Sequence, residues 1–197
     1  MNKKQIEELV LQSLEHEMGG VAVYRAAISC AVNPDLAKEW KEYLAQTEQH
    51  VTVLTKLCKT LGIDAKRETP GRAIVRHLGA SLVQAMAMAK KAGDPAAAQL
   101  VACECVVIAE TKDHQDWVLI GKCADHLEDD RADALRAAYD EIEDQEDEHL
   151  YHSRGWCREL WLESLGITPV LPPPEEARDV KTAIGAAKAE ASAEKLR

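Results

Sequence analysis

Residues 146–149 read Glu-Asp-Glu-His, a Glu-x-x-His inside a stretch with helical periodicity. At a spacing of three, Glu146 and His149 leave the same helix face. The rest of that face is apolar: Leu135, Tyr139 and Ile142 precede the pair, and Trp156 and Leu160 follow it. A carboxylate and an imidazole inside a core stripe cost free energy unless something pairs them. A metal ion is a partner that both groups accept. One such motif arises easily by chance in a Glu-rich chain. The informative question is whether other helices aim ligands at the same depth.

Three further apolar stripes are interrupted in this way. Val10, Leu14, Val21, Tyr24 and Ile28 frame Glu17. Leu36, Trp40, Tyr43, Thr47, Leu54 and Leu57 frame His50. Cys103, Val107 and Trp117 frame Glu110 and His114. A rival stripe through Leu100, Val107 and Val118 carries Glu104, but about a turn and a half from the level of Glu146. A chain reversal near residues 127–128 sets Glu110 beside Glu146. One near Val32–Asn33 sets Glu17 level with residues 47 to 50.

The elements that must hold these side chains are punctuated by Pro and Gly. Asn33-Pro34, Thr69-Pro70 and Asp94-Pro95 each read as a helix N-cap followed by Pro at the first helical position. Gly62, Gly93 and Gly166 stand where helices should stop. The expected long helices cover about residues 3–31, 34–61, 95–125 and 130–165, with a shorter one over about 71–92. The long helices form two antiparallel hairpins. The shorter helix connects them: about 20 helical residues climb roughly 30 Å, enough to carry the chain back along the molecule. Residues 1–166 are therefore one helical domain. Residues 167–197 are a tail that opens on Pro172-Pro173-Pro174, favouring an extended segment. A weakly amphipathic helix follows around Val180, Ile184 and Ala187. It has too little apolar surface to fold alone and is expected to dock on another subunit of a homodimer.

With these stripes in place, the chain resembles the ferritin-like superfamily of dinuclear carboxylate proteins, over about residues 3 to 165. That pattern takes one Glu from each of two helices and a Glu-x-x-His from each of the other two. The resemblance implies an all-α, ferritin-like four-helix bundle with a helical crossover between its second and third long helices. It implies the metal ligands Glu17, His50, Glu110, Glu146 and His149. Thr47 departs from the pattern, standing where a Glu would precede His50. One metal site could be lost or weak, a water held by Thr47 could fill the position, or His114 could compensate as a further ligand. The cation nearer His50 is expected to be the weaker of two. Iron is the implied metal, with manganese as the other choice.

The implied function is an oxidoreductase acting on O2 or peroxide. The six cysteines form no C-x-x-C pair, which removes a rubredoxin-type centre, a zinc ribbon and a thioredoxin motif. Electrons would then come from a separate donor. The alternatives are a non-catalytic metal-binding or storage protein, and a helical interaction protein with a degraded metal site. The cysteines read as small buried hydrophobes in a reducing compartment. A formal charge of −10 argues against nucleic acid and against an anionic membrane surface as partners. No apolar run reaches bilayer length, and the N-terminal residues do not read as a secretory signal, so a cytoplasmic location is expected. His77 and His152 are expected at the surface or rim. Trp117 and Trp156 are expected to pack in the core.

Overall fold

The computed structural model describes residues 1–197. It is all-helical: α1 (Lys3–Cys30), α2 (Pro34–Thr60), α3 (Pro70–Ala92), α4 (Pro95–His126), α5 (Asp130–Ser164), α6 (Pro174–Ala177) and α7 (Ala183–Glu194). The helix starts are fixed by side-chain caps. Asn33 accepts from the N–H groups of Asp35 and Leu36, Thr69 from Arg72, and Asp94 from Ala96 and Ala97. Each of these three helices opens on the expected Pro. Gly62, Gly93 and Gly166 have positive φ just beyond the ends of α2, α3 and α5. No helix is long and apolar enough to cross a membrane.

The contacts fix the direction of each long helix. Gln99, near the start of α4, accepts from the N–H groups of Val32 and Asn33 at the α1–α2 turn, both at 2.6 Å. So α4 begins where α1 ends and runs antiparallel to it. Gln46 and His50 of α2 meet His149 and Gln145 of α5 in reverse order, so these two are also antiparallel. The chain leaves α2 at one end of the molecule and must start α4 at the other. The 23 residues of α3 make that return, climbing about 35 Å. The buried Arg72 holds the start of α3 to α1 through two bonds to Glu15, at 2.9 and 2.6 Å. Further along, Gly79 faces Gly19 closely enough for the two backbones to touch.

The interior is layered. One apolar cluster gathers Tyr24, Ala27, Leu36, Trp40, Tyr43, Ala102, Val106, Trp156 and Leu160. The other gathers Val10, Leu14, Leu54, Leu57, Trp117, Ile120, Leu135 and Ile142. Between them, in all four long helices, lies a band of buried polar side chains: Glu17, Thr47, His50, Glu110, Asp113, Glu146 and His149.

The tail packs against its own chain. Val180 and Ala189 form a small cluster with Leu150 and Tyr151 of α5. Arg158 grips the buried Glu175 of α6 through two bonds of 2.7 and 3.0 Å. The buried Glu159 accepts from Val170 N–H at 2.9 Å and pairs with Arg197. The physical reason is that α5 carries its own apolar and charged partners for the tail. A weak helix therefore gains its missing surface within the chain.

Candidate metal centre

Each helix brings its ligand candidate to the polar band because its apolar stripe faces the interior above and below. Glu17, His50, Glu110, Glu146 and His149 are all at most 3% exposed. His50 Nδ1 lies 2.9 Å from Glu146 Oε1 and 3.3 Å from Glu17 Oε1. His149 Nδ1 lies 3.6 Å from Glu146 Oε1 and 3.5 Å from Glu110 Oε2. Two overlapping triads result, Glu17–His50–Glu146 and Glu110–Glu146–His149, each with its ligand atoms within 4.8 Å of one another. Glu146 belongs to both. The two imidazole rings are stacked with centroids 5.6 Å apart.

The far side of each ring is held in the same way. His50 Nε2 is 2.8 Å from Gln145 Oε1, and His149 Nε2 is 2.6 Å from Gln46 Oε1. An amide oxygen accepts, so each Nε2 carries a proton and each Nδ1 is turned toward the carboxylates. Trp117 Nε1 donates to Glu17 Oε1 at 2.9 Å and fixes that carboxylate. The indole expected only to pack is thus also a positioning group.

Four buried side-chain oxygens of this band have no hydrogen-bond partner: Glu17 Oε2, Glu110 Oε2, Glu146 Oε2 and Asp113 Oδ1. Orphaned polar atoms of this density are costly in a folded interior. Lone pairs converging on one small volume fit cations. The electrostatics agree. Burial pushes the carboxyl of Glu146 up to about 7 and that of Glu110 up to about 8. Burial also opposes charge on His50, but the facing carboxylates of Glu146 and Glu17 overcome it and raise it to about 11. His149 is driven down to about 4 by burial. Without a cation, His50 is left as the band's counter-charge.

Three residues stand differently from their sequence reading. His114 is not among the convergent groups. It is half-buried and bonds Asp147 Oδ1 at 2.8 Å, on the outside of the α4–α5 seam. Packing turns the buried face of α4 so that Asp113, three residues after Glu110, points inward in its place. His152 is buried rather than at the rim, with Nδ1 2.9 Å from the hydroxyl of Tyr43. Thr47 is in the band, but its hydroxyl donates to Tyr43 O at 2.8 Å. A Cβ added to Gly20 would sit 3.2 Å from the Thr47 methyl, so α1 and α2 pack closely here.

Gln46, Gln145 and Asp113 were missed. For the glutamines a signal exists. Gln46-Thr47-Glu48-Gln49-His50 and Gln145-Glu146-Asp147-Glu148-His149 share Gln four residues before His. Each Gln serves the other helix's His, so the repeat is a crossed pair. Asp113 has no motif of its own. Burial holds its carboxyl well above the usual range, and the carboxylates of Glu146, Glu17 and Glu110 add to the effect. It faces His16 Nε2 at 3.9 Å, on the α1 side of the band.

No family model, curated protein or solved structure matches the chain.

Proposed function

We propose that the chain is a ferritin-like, dinuclear metalloprotein whose polar band holds two iron or manganese ions, and that it acts as an oxidoreductase on O2 or peroxide. The observation that carries this reading is the shared Glu146: two triads of identical chemistry meet at one buried carboxylate. Glu17 with His50 would hold one ion, Glu110 with His149 the other, and Glu146 would bridge them. Such a pair, when bound, supplies electron transfer to small oxidants. The chain's own contribution is positional. Gln46, Gln145 and Trp117 fix the rings and Glu17, and the two apolar clusters exclude bulk water. A cavity of about 20 Å3 between α4 and α5 is lined by Glu146, Trp117, Tyr139, His114 and Asp147.

The test is metal analysis of chain purified without chelator, followed by turnover assays. The expected result is two equivalents of iron or manganese per chain, lost in Glu146→Ala, with consumption of O2 or peroxide by the loaded wild type. A chain that takes up neither ion would sink the reading. A loaded chain inert to both oxidants would leave a metal-binding or storage protein.

A further inference from the structure

The tail meets α2 at a buried pair of like groups. Glu39 is 6% exposed, and its carboxyl group hydrogen-bonds that of Glu176 in α6. Two carboxyl groups can share such a bond only if one of them carries a proton. Trp156 Nε1 donates to Glu39 Oε2, and the Tyr43 hydroxyl donates to the same carboxyl group, so Glu39 is fixed from α5 and α2. The neighbouring cations are engaged elsewhere. Lys38 pairs with Glu42 at 3.6 Å, Lys181 with Glu148 at 2.8 Å and Arg158 with Glu175 at 2.7 Å. The Glu39–Glu176 pair forms part of the wall of a cavity of about 440 Å3 between α2, α5 and the tail, which Gln46 also lines.

We propose that the tail is a proton-operated latch: the hydrogen bond between the carboxyl groups of Glu39 and Glu176 holds α6 against α2, and loss of the shared proton releases it. The sign follows from linkage. Burial, then the facing Glu176, push the Glu39 carboxyl from its ordinary 4.5 up to about 9. A raised folded value means that the docked tail binds one proton more than the released tail between those two values. The pair's contribution is full below pH 4.5 and is lost as pH rises toward 9, by about tenfold in the docking equilibrium per pH unit. The other titrating groups that face Glu39 act outside the upper part of this range. His152 of α5 is lowered from 6.5 by burial, so it opposes docking only below 6.5. Burial raises Tyr43 of α2 above 10 and Cys103 of α4 well above 9. The latch requires no bound metal. It stands over one approach to the polar band, because Gln46 lines the cavity and bonds His149.

The test is tryptic cleavage of the full-length chain after Arg178 and Lys181 at pH 7, 8 and 9. Each rate is normalised to cleavage of a free peptide of residues 174–197 at the same pH, so that it reports the released population. The expected result is a normalised rate that rises by about tenfold per pH unit in wild type and stays flat in Glu39→Gln. The amide in that variant keeps an acceptor for Trp156 and donates to Glu176 without a titrating proton. Glu110 and Glu146 also titrate near this range, but both remain in Glu39→Gln, so its flat profile assigns the slope to the pair. A wild-type rate that does not change from pH 7 to 9 would overturn the proposal, and so would the wild-type slope persisting in folded Glu39→Gln. Should Glu39→Gln not fold, Glu176→Gln alters the tail alone. Its amide donates to the Glu39 carboxylate in place of the shared proton, and an undiminished slope there overturns the latch equally.

Discussion

At the scale of single residues, position 47 decides how complete the band is. In the repeat of Gln, three residues and His, Thr47 occupies the place that Glu146 holds in α5. Glu146 serves both triads. A carboxylate at 47 would therefore act as a second bridge rather than as a ligand to one ion. On the proposed two-metal reading the deficit is then shared, because each triad has one imidazole and two carboxylates. Thr47→Glu should tighten binding of both ions together, not of the one beside His50 alone. It should also lower the stability of the metal-free chain by about 1–3 kcal/mol, because the larger side chain meets Gly20. Calorimetric titration with Mn2+, paired with urea unfolding of both forms, checks this. A gain confined to one of two ions would restore the unequal picture.

At the scale of elements, α3 depends on an ion cluster. Glu15 of α1 is buried against Arg72 and also bonds Arg76 at 2.6 Å. Removing one partner of a buried pair leaves an uncompensated charge, so Glu15→Ala should cost about 3–5 kcal/mol at neutral pH. The guanidinium of Arg76, with that of Arg72, holds the Glu15 carboxyl below its ordinary value of 4.5. A depressed folded value means that the stabilisation is complete above pH 4.5 and is lost as pH falls through the folded value. The gap between wild type and Glu15→Ala in urea midpoints should therefore be constant from pH 7 to about 5 and close on further acidification. A gap that persists unchanged at pH 3 would show that lost packing, not the ion pair, is responsible.

At the scale of the whole molecule, the tail is part of the domain's surface. Chain cut after Gly166 loses Arg197 from Glu159, Glu175 from Arg158, and the cover over Leu150 and Tyr151. Glu159 is fully buried in the intact chain. Truncation should lower the thermal midpoint by several degrees, as about 1–2 kcal/mol does in a domain of this size. It should leave the assembly state the same in sedimentation velocity. A change of assembly state with an unchanged midpoint would instead place the tail between subunits.

The sequence alone determined the helices and the depth of the candidate ligands. Caps such as Asn33 and Asp94 are local hydrogen bonds, and stripes such as Leu36, Trp40, Tyr43, His50 and Leu54 follow from a fixed helical period, so both are legible without a fold. Glu17, His50, Glu110, Glu146 and His149 could be aligned because hairpin turns set their relative heights. Tertiary structure decided whatever depended on rotation of a helix about its axis or on docking. Whether Asp113 or His114 follows Glu110 inward is a matter of one residue's rotation, about 100°, set by how α1, α3 and α5 crowd α4. His152 is buried where α2 and the tail meet α5. The crossed bonds of Gln46 and Gln145 join residues about a hundred positions apart, and no local pattern states that two helices must meet in that register.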